Sequence, residues 1–124
     1  MSKKGKIRDT MDCLPILDTS NWRLKSLKPR MVTVSVKNII GTSSRAYEYY
    51  PNWTPKVKDK RWVRIHNAIQ SGKKINEIGK NSLVCLYKTP DKKYWVAGDG
   101  NHRVSIAKVL GIKRLHAEVY DLVK

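Results

Sequence analysis

The segment Gly98-Asp99-Gly100-Asn101-His102-Arg103 holds the residue types best suited to chemistry in this chain. An alternating apolar run leads into it and a helix-periodic run leads out, so the spacing predicts strand, tight turn, helix. Glycines at positions 98 and 100 let the backbone turn sharply and approach a ligand with no Cβ in the way. The first-turn N–H groups of a helix have no intrahelical acceptor, and the helix dipole makes that end partly positive. A phosphate is well placed there. Arg103 adds a planar fork of donors, and His102 a further donor or a cation. Asn101 is expected as the N-cap. Asp99 would orient Arg103 or His102, share Mg²⁺ with substrate oxygens, or act as a base. The same residues also suit a plain turn and cap, with Asp and Asn making local hydrogen bonds.

Other candidates are weaker. Arg45 is either a second phosphate ligand brought to the turn or an ordinary surface arginine. Glu48 is the nearest downstream acid that could act as a base. His66 and His116 have no partner at metal-ligand spacing, so no metal site built from protein groups alone is expected; Asp99 with a nucleotide-bound Mg²⁺ is the exception. Cys13 and Cys85 are too few for a disulfide framework or a zinc site. Trp62 falls on an apolar helix face, whereas Trp53, between Pro51 and Pro55, is the tryptophan expected to stack on a base.

The elements that must position this turn can be read in order. Val32, Val34 and Val36 alternate with polar residues and predict a strand from Met31, and Asn38–Ser44 breaks the pattern around Gly41. Residues 45–55 read as an irregular connection or a short helical turn. A helix opens at Asp59 or Lys60, carries Trp62, Ile65, Ala68 and Ile69 on one face, and stops at Gly72. Leu83–Tyr87 and Lys93–Ala97 form a hairpin around Thr89-Pro90-Asp91-Lys92. A second helix carries Val104, Ala107 and Leu110 and ends at Gly111; Leu115, Ala117 and Val119 mark a last strand. The expected architecture is a compact α+β domain over residues 31–124, a small mixed sheet with packed helices. Residues 1–30 form a basic arm, partly ordered, with an apolar patch at Leu14–Leu17.

The chain has 124 residues and a net charge of +16, from 26 Lys and Arg against 10 Asp and Glu. Eight basic and three acidic residues lie in the arm, so the body is basic as well. From Lys56 through Lys58, Lys60, Arg61 and Arg64 to Lys73 and Lys74 the only acid is Asp59. This stretch, with Trp53, is the expected nucleic-acid surface; solvation alone is the bland alternative. No apolar run approaches the ~18 residues of a membrane span, and residues 1–10 lack the apolar core of a signal peptide. A reducing cytoplasm is the expected compartment.

Gly98–Gly111, GDGNHRVSIAKVLG, resembles the signature segment of the ParB/sulfiredoxin superfamily, in its DGNHR-type ParB-like branch. Val32–Ile39 is similar to that family's opening strand, and Gly41-Thr42 through Arg45 to Tyr49-Tyr50 to its following segment. Arg61–Gly72 and Leu83–Ala97 resemble the helix and hairpin that feed the motif, so the likeness spans about residues 32–120. Asn101 stands where sulfiredoxins carry their cysteine, which excludes sulfinic-acid reduction. Gly100, Arg103 and Ala107 match the nucleotide-binding box of partition proteins, with His102 in place of its first arginine. The chain carries no segment resembling their helix-turn-helix and dimerisation domains.

The resemblance implies a nucleotide pocket formed by Gly98, Gly100, Asn101, His102, Arg103 and Arg45. A nucleoside triphosphate with Mg²⁺ is the implied cofactor. The implied partner is nucleic acid, DNA in preference to RNA, or a nucleotide. A nucleotide hydrolase, small-molecule kinase or DNase using Asp99, His102 and Arg103 is the enzymatic alternative. A non-catalytic protein that binds an acidic partner is the third.

Overall fold

The computed structural model describes residues 14–44, 53–54, 59–77, 83–98 and 100–124. These form an α+β domain of two helices on a six-stranded mixed sheet. In chain order the elements are β1 (Arg23–Leu24), β2 (Arg30–Ser35), β3 (Ile39–Thr42), α1 (Lys60–Gln70), β4 (Val84–Lys88), β5 (Tyr94–Val96), α2 (Asn101–Leu110) and β6 (Arg114–Val123). Short 3-10 turns at Thr19–Asn21, Val36–Asn38 and Ile75–Glu77 link them.

β6 organises the sheet. One edge pairs antiparallel with β2 along Arg30↔Val119 to Ser35↔Arg114, then with β1 at Arg23↔Val123. The other edge pairs parallel with β4, which runs antiparallel to β5, which runs parallel to β3. The period-2 patterns settle which face is buried: Leu115, Ala117 and Val119 are buried while Arg114 and His116 stay exposed. Val84, Leu86 and Val96 add to the same core, against which Val104 and Ala107 of α2 pack.

Residues 14–24, within the sequence-defined arm, join the domain. Leu14 and Leu17 are buried, and Ile16 bridges Thr42 in parallel. The break expected at Asn38–Ser44 is instead strand β3. Its register shifts between Ile39 and Gly41, and a Cβ at Gly41 would sit 2.7 Å from the Trp95 ring and against the Pro15 carbonyl. The glycine there permits a close approach, not a turn.

α1 matches its pattern. Asp59 is the N-cap, its Oδ1 accepting from the Arg61 and Trp62 N–H groups at 3.0 and 3.1 Å. Trp62, Ile65, Ala68 and Ile69 are half-buried, and Lys60, Arg61, Arg64 and Asn67 are exposed. Trp62 Nε1 donates to Ser105 Oγ at 2.8 Å, and Ser105 donates to the Trp53 carbonyl. That relay ties α1, α2 and residue 53 together.

Candidate functional site

The candidate site is where the first turns of the two helices meet. Gly100, at φ +112°, is the N-cap of α2 and its carbonyl accepts from Val104 N–H at 2.9 Å. Asn101 is therefore the first helical residue, not the cap expected from its side chain. The left-handed backbone at Gly100 ends the turn one residue earlier, and Gly100 supplies no capping side chain. Asn101 is buried, and its Oδ1 has no hydrogen-bond partner among the described residues.

His102, half-buried, points back to α1: its Nε2 lies 2.9 Å from Oδ2 of Asp59. One carboxylate thus caps α1 through Oδ1 and holds an imidazole of α2 through Oδ2. Two positive helix ends converge on this contact, and the exposed Lys60 and Arg61 follow Asp59 directly. A carboxylate that orients an imidazole is also the arrangement a general acid–base needs, because it sets the ring's tautomer and steadies its charged form.

Arg103 is placed differently from expectation. It is 3% exposed, and its guanidinium reaches towards the Leu83 carbonyl at 3.4 Å. This makes Arg103 a brace between α2 and the residue before β4. Gly98 is exposed at the lip of the turn. Asp99, Arg45, Lys56 and Lys58 lie outside the described residues, as does Glu48.

On the expected nucleic-acid surface, Lys60, Arg61, Arg64, Lys73 and Lys74 are all exposed, on α1 or just beyond it. Trp53 is not part of that surface. It is 5% exposed, at φ +68°, with its carbonyl on Ser105 and the Lys108 ammonium 5.7 Å from its ring centroid. A ring enclosed in this way offers no free face to a base. Of the remaining histidines, His66 stacks on Trp62 at 5.0 Å between centroids, and His116 Nδ1 lies 3.0 Å from Thr33 Oγ1.

Asp59 is the residue that sequence reasoning missed. It was legible as a helix opener, and its isolation among basic residues was a signal, but its contact with His102 spans 43 positions and depends on how the helices pack. No helix among the described residues is long and apolar enough to cross a membrane. Comparison of the chain with protein-family models, with curated proteins and with solved structures gives no match.

Proposed function

We propose that this chain is a ParB-like, nucleic-acid-binding domain of the cytoplasm, with a phosphate or nucleotide site at the strand-GDGNHR-helix turn. The observation that carries the reading is the convergence of two helix N-termini at the 2.9 Å Asp59–His102 contact, beside the exposed Lys60 and Arg61. Helix ends and fixed donors favour phosphate oxygens. The amide oxygen of Asn101, without a hydrogen-bond partner among the described residues, suits a ligand that brings an N–H or O–H donor with its phosphate, as a nucleotide does. The exposed face of α1 continues the positive charge away from the turn and would track a phosphate backbone. DNA is the expected polymer, and a nucleoside triphosphate with Mg²⁺ the expected small ligand.

Binding of labelled duplex and single-stranded DNA, measured across a salt series, tests this. If Lys60, Arg61, Arg64, Lys73 and Lys74 all contact phosphates, the log–log salt slope is about −4.5, and Arg61→Gln with Arg64→Gln makes it shallower by about 1.8. Absence of binding to both DNAs at ~50 mM salt refutes the nucleic-acid reading.

The Asp59–His102 geometry favours one second reading, an enzyme that hydrolyses or transfers phosphate with His102 as acid–base and Asp59 as its positioning residue. Incubation with ATP or CTP and Mg²⁺, and separately with plasmid DNA, decides between them. Turnover or nicking that falls at least ~100-fold in both His102→Ala and Asp59→Asn selects the enzyme.

A further inference from the structure

A cavity formed by described residues lies at the opposite end of α2 from the turn. It is an open groove of about 720 Å³ between the 3-10 turn Val36–Asn38, the last turn of α2 and the start of β6. Lys37, Lys108, Lys113 and Arg114 line it, and no acidic residue does. Val36, Ala107 and Ile112 give it an apolar floor. The C-terminal end of α2 is partly negative, but the Ala107 and Lys108 carbonyls accept from the Gly111 and Ile112 N–H groups, and four full cations outweigh the partial charge that is left.

Lys108 is the informative member. Its ammonium is half-buried over the Trp53 ring, with no carboxylate in salt-bridge contact among the described residues. Burial pushes its pKa below the ordinary lysine value. Desolvating an ammonium without an anion is unfavourable, and a site built to receive an anion is one reason such a group persists. The volume falls in the range of small-molecule sites, with room for a base or sugar on the apolar floor once a phosphate meets the cations.

We propose that this groove is a second anion site, which takes the phosphate of a nucleotide unit, free or at the end of a strand, through Lys37, Lys108, Lys113 and Arg114. It stands independently of the site at the GDGNHR turn, since the two ends of α2 are about 15 Å apart.

The experiment combines calorimetric binding of ADP and of a 5′-phosphorylated single-stranded oligonucleotide with acetylation footprinting of the wild-type lysines by mass spectrometry. Variants are Lys108→Met, the pair Lys37→Gln and Arg114→Gln, and His102→Ala for the turn. Lys28→Gln and Lys93→Gln are exposed controls outside the groove. The expected result is protection of Lys108 and Lys37 by ADP or by the oligonucleotide. Affinity for the same ligand weakens about tenfold in Lys108→Met and in the pair, with little change in the controls. Loss with ADP identifies a free nucleotide; loss confined to the oligonucleotide identifies a strand terminus.

Nucleotide binding that falls in His102→Ala but is unchanged in the groove variants, with Lys108 unprotected, overturns the groove and leaves the turn standing. Wild-type protein that binds neither probe also overturns it. The footprint needs no substitution, so it holds even if a variant fails to fold.

Discussion

Replacing Gly100 by alanine is the sharpest probe of how the turn is built. Its φ of +112° lies outside the conformations an L residue adopts readily, a cost of about 1–2 kcal/mol. A Cβ there would also lie 2.7 Å from Val84 Cγ1 and 2.8 Å from Val84 Cβ. Val84 is fully buried in the strand that pairs with both β5 and β6, so it has little room to give. Overpacking of this kind adds about 1–3 kcal/mol. Gly100→Ala should therefore lose about 3 kcal/mol, a fall in Tm of about 12 °C for a chain of this size.

Two other glycines calibrate the argument. Gly72 has nearly the same φ, +111°, but open space around its Cβ position, so Gly72→Ala should cost only the backbone part, about 1–2 kcal/mol. Gly98 has open space and no left-handed φ, and Gly98→Ala should fall within about ±0.5 kcal/mol. Urea denaturation of the three variants gives the order directly. Adding Val84→Ala removes Cγ1 but not Cβ, so the double variant should be about 1 kcal/mol more stable than additivity allows. If Gly100→Ala costs no more than Gly72→Ala, or the double variant is additive, the steric account is wrong.

Other expectations follow from single contacts. Asp59→Ala should lose about 1 kcal/mol of stability with the α1 cap, and Asp59→Asn only a few tenths because asparagine caps as well; urea midpoints separate them. Asp121 accepts hydrogen bonds from Arg30 at 2.8 and 2.9 Å, which hold its carboxyl below the ordinary value. Its contribution is present above the ordinary carboxylate pKa and is lost as pH falls through the lowered one. Wild type should exceed Asp121→Asn by no more than about 1 kcal/mol near neutrality, since the pair is partly exposed, and the gap should close in acid. For Lys108 the sign is the same, in a more alkaline range. Its lowered pKa means the unfolded chain binds more protons just below the ordinary lysine value, so wild-type stability should rise from pH 8 to pH 10 relative to Lys108→Met.

The elements were legible wherever local physics decides them. Period-2 alternation identified β2 and β6, the Asp59 and Gly72 signals bounded α1, and the turn residues placed the β4–β5 hairpin, because face and cap preferences act over a few residues. Local pattern failed where a distant group set the answer. Gly41 reads as a breaker, yet it lies in a strand because Trp95 and Pro15 occupy the space a Cβ would need. Asn101 reads as a cap, yet Gly100 takes that role above Val84. Trp53 reads as a loop aromatic, yet Ser105 and Lys108 enclose it.

The amino-acid sequence by itself determined the α+β composition, the location of the strand–glycine–helix turn and the excess of positive charge. None of these needs more than a short window or a count. Only the tertiary structure decided that His102 meets Asp59, that Arg103 is turned inward to Leu83, and that Lys37, Lys108, Lys113 and Arg114 share one groove. Charge is additive along a chain and can be summed from the residues. Convergence is a property of packing, set by which apolar faces of α1, α2 and the sheet close upon one another.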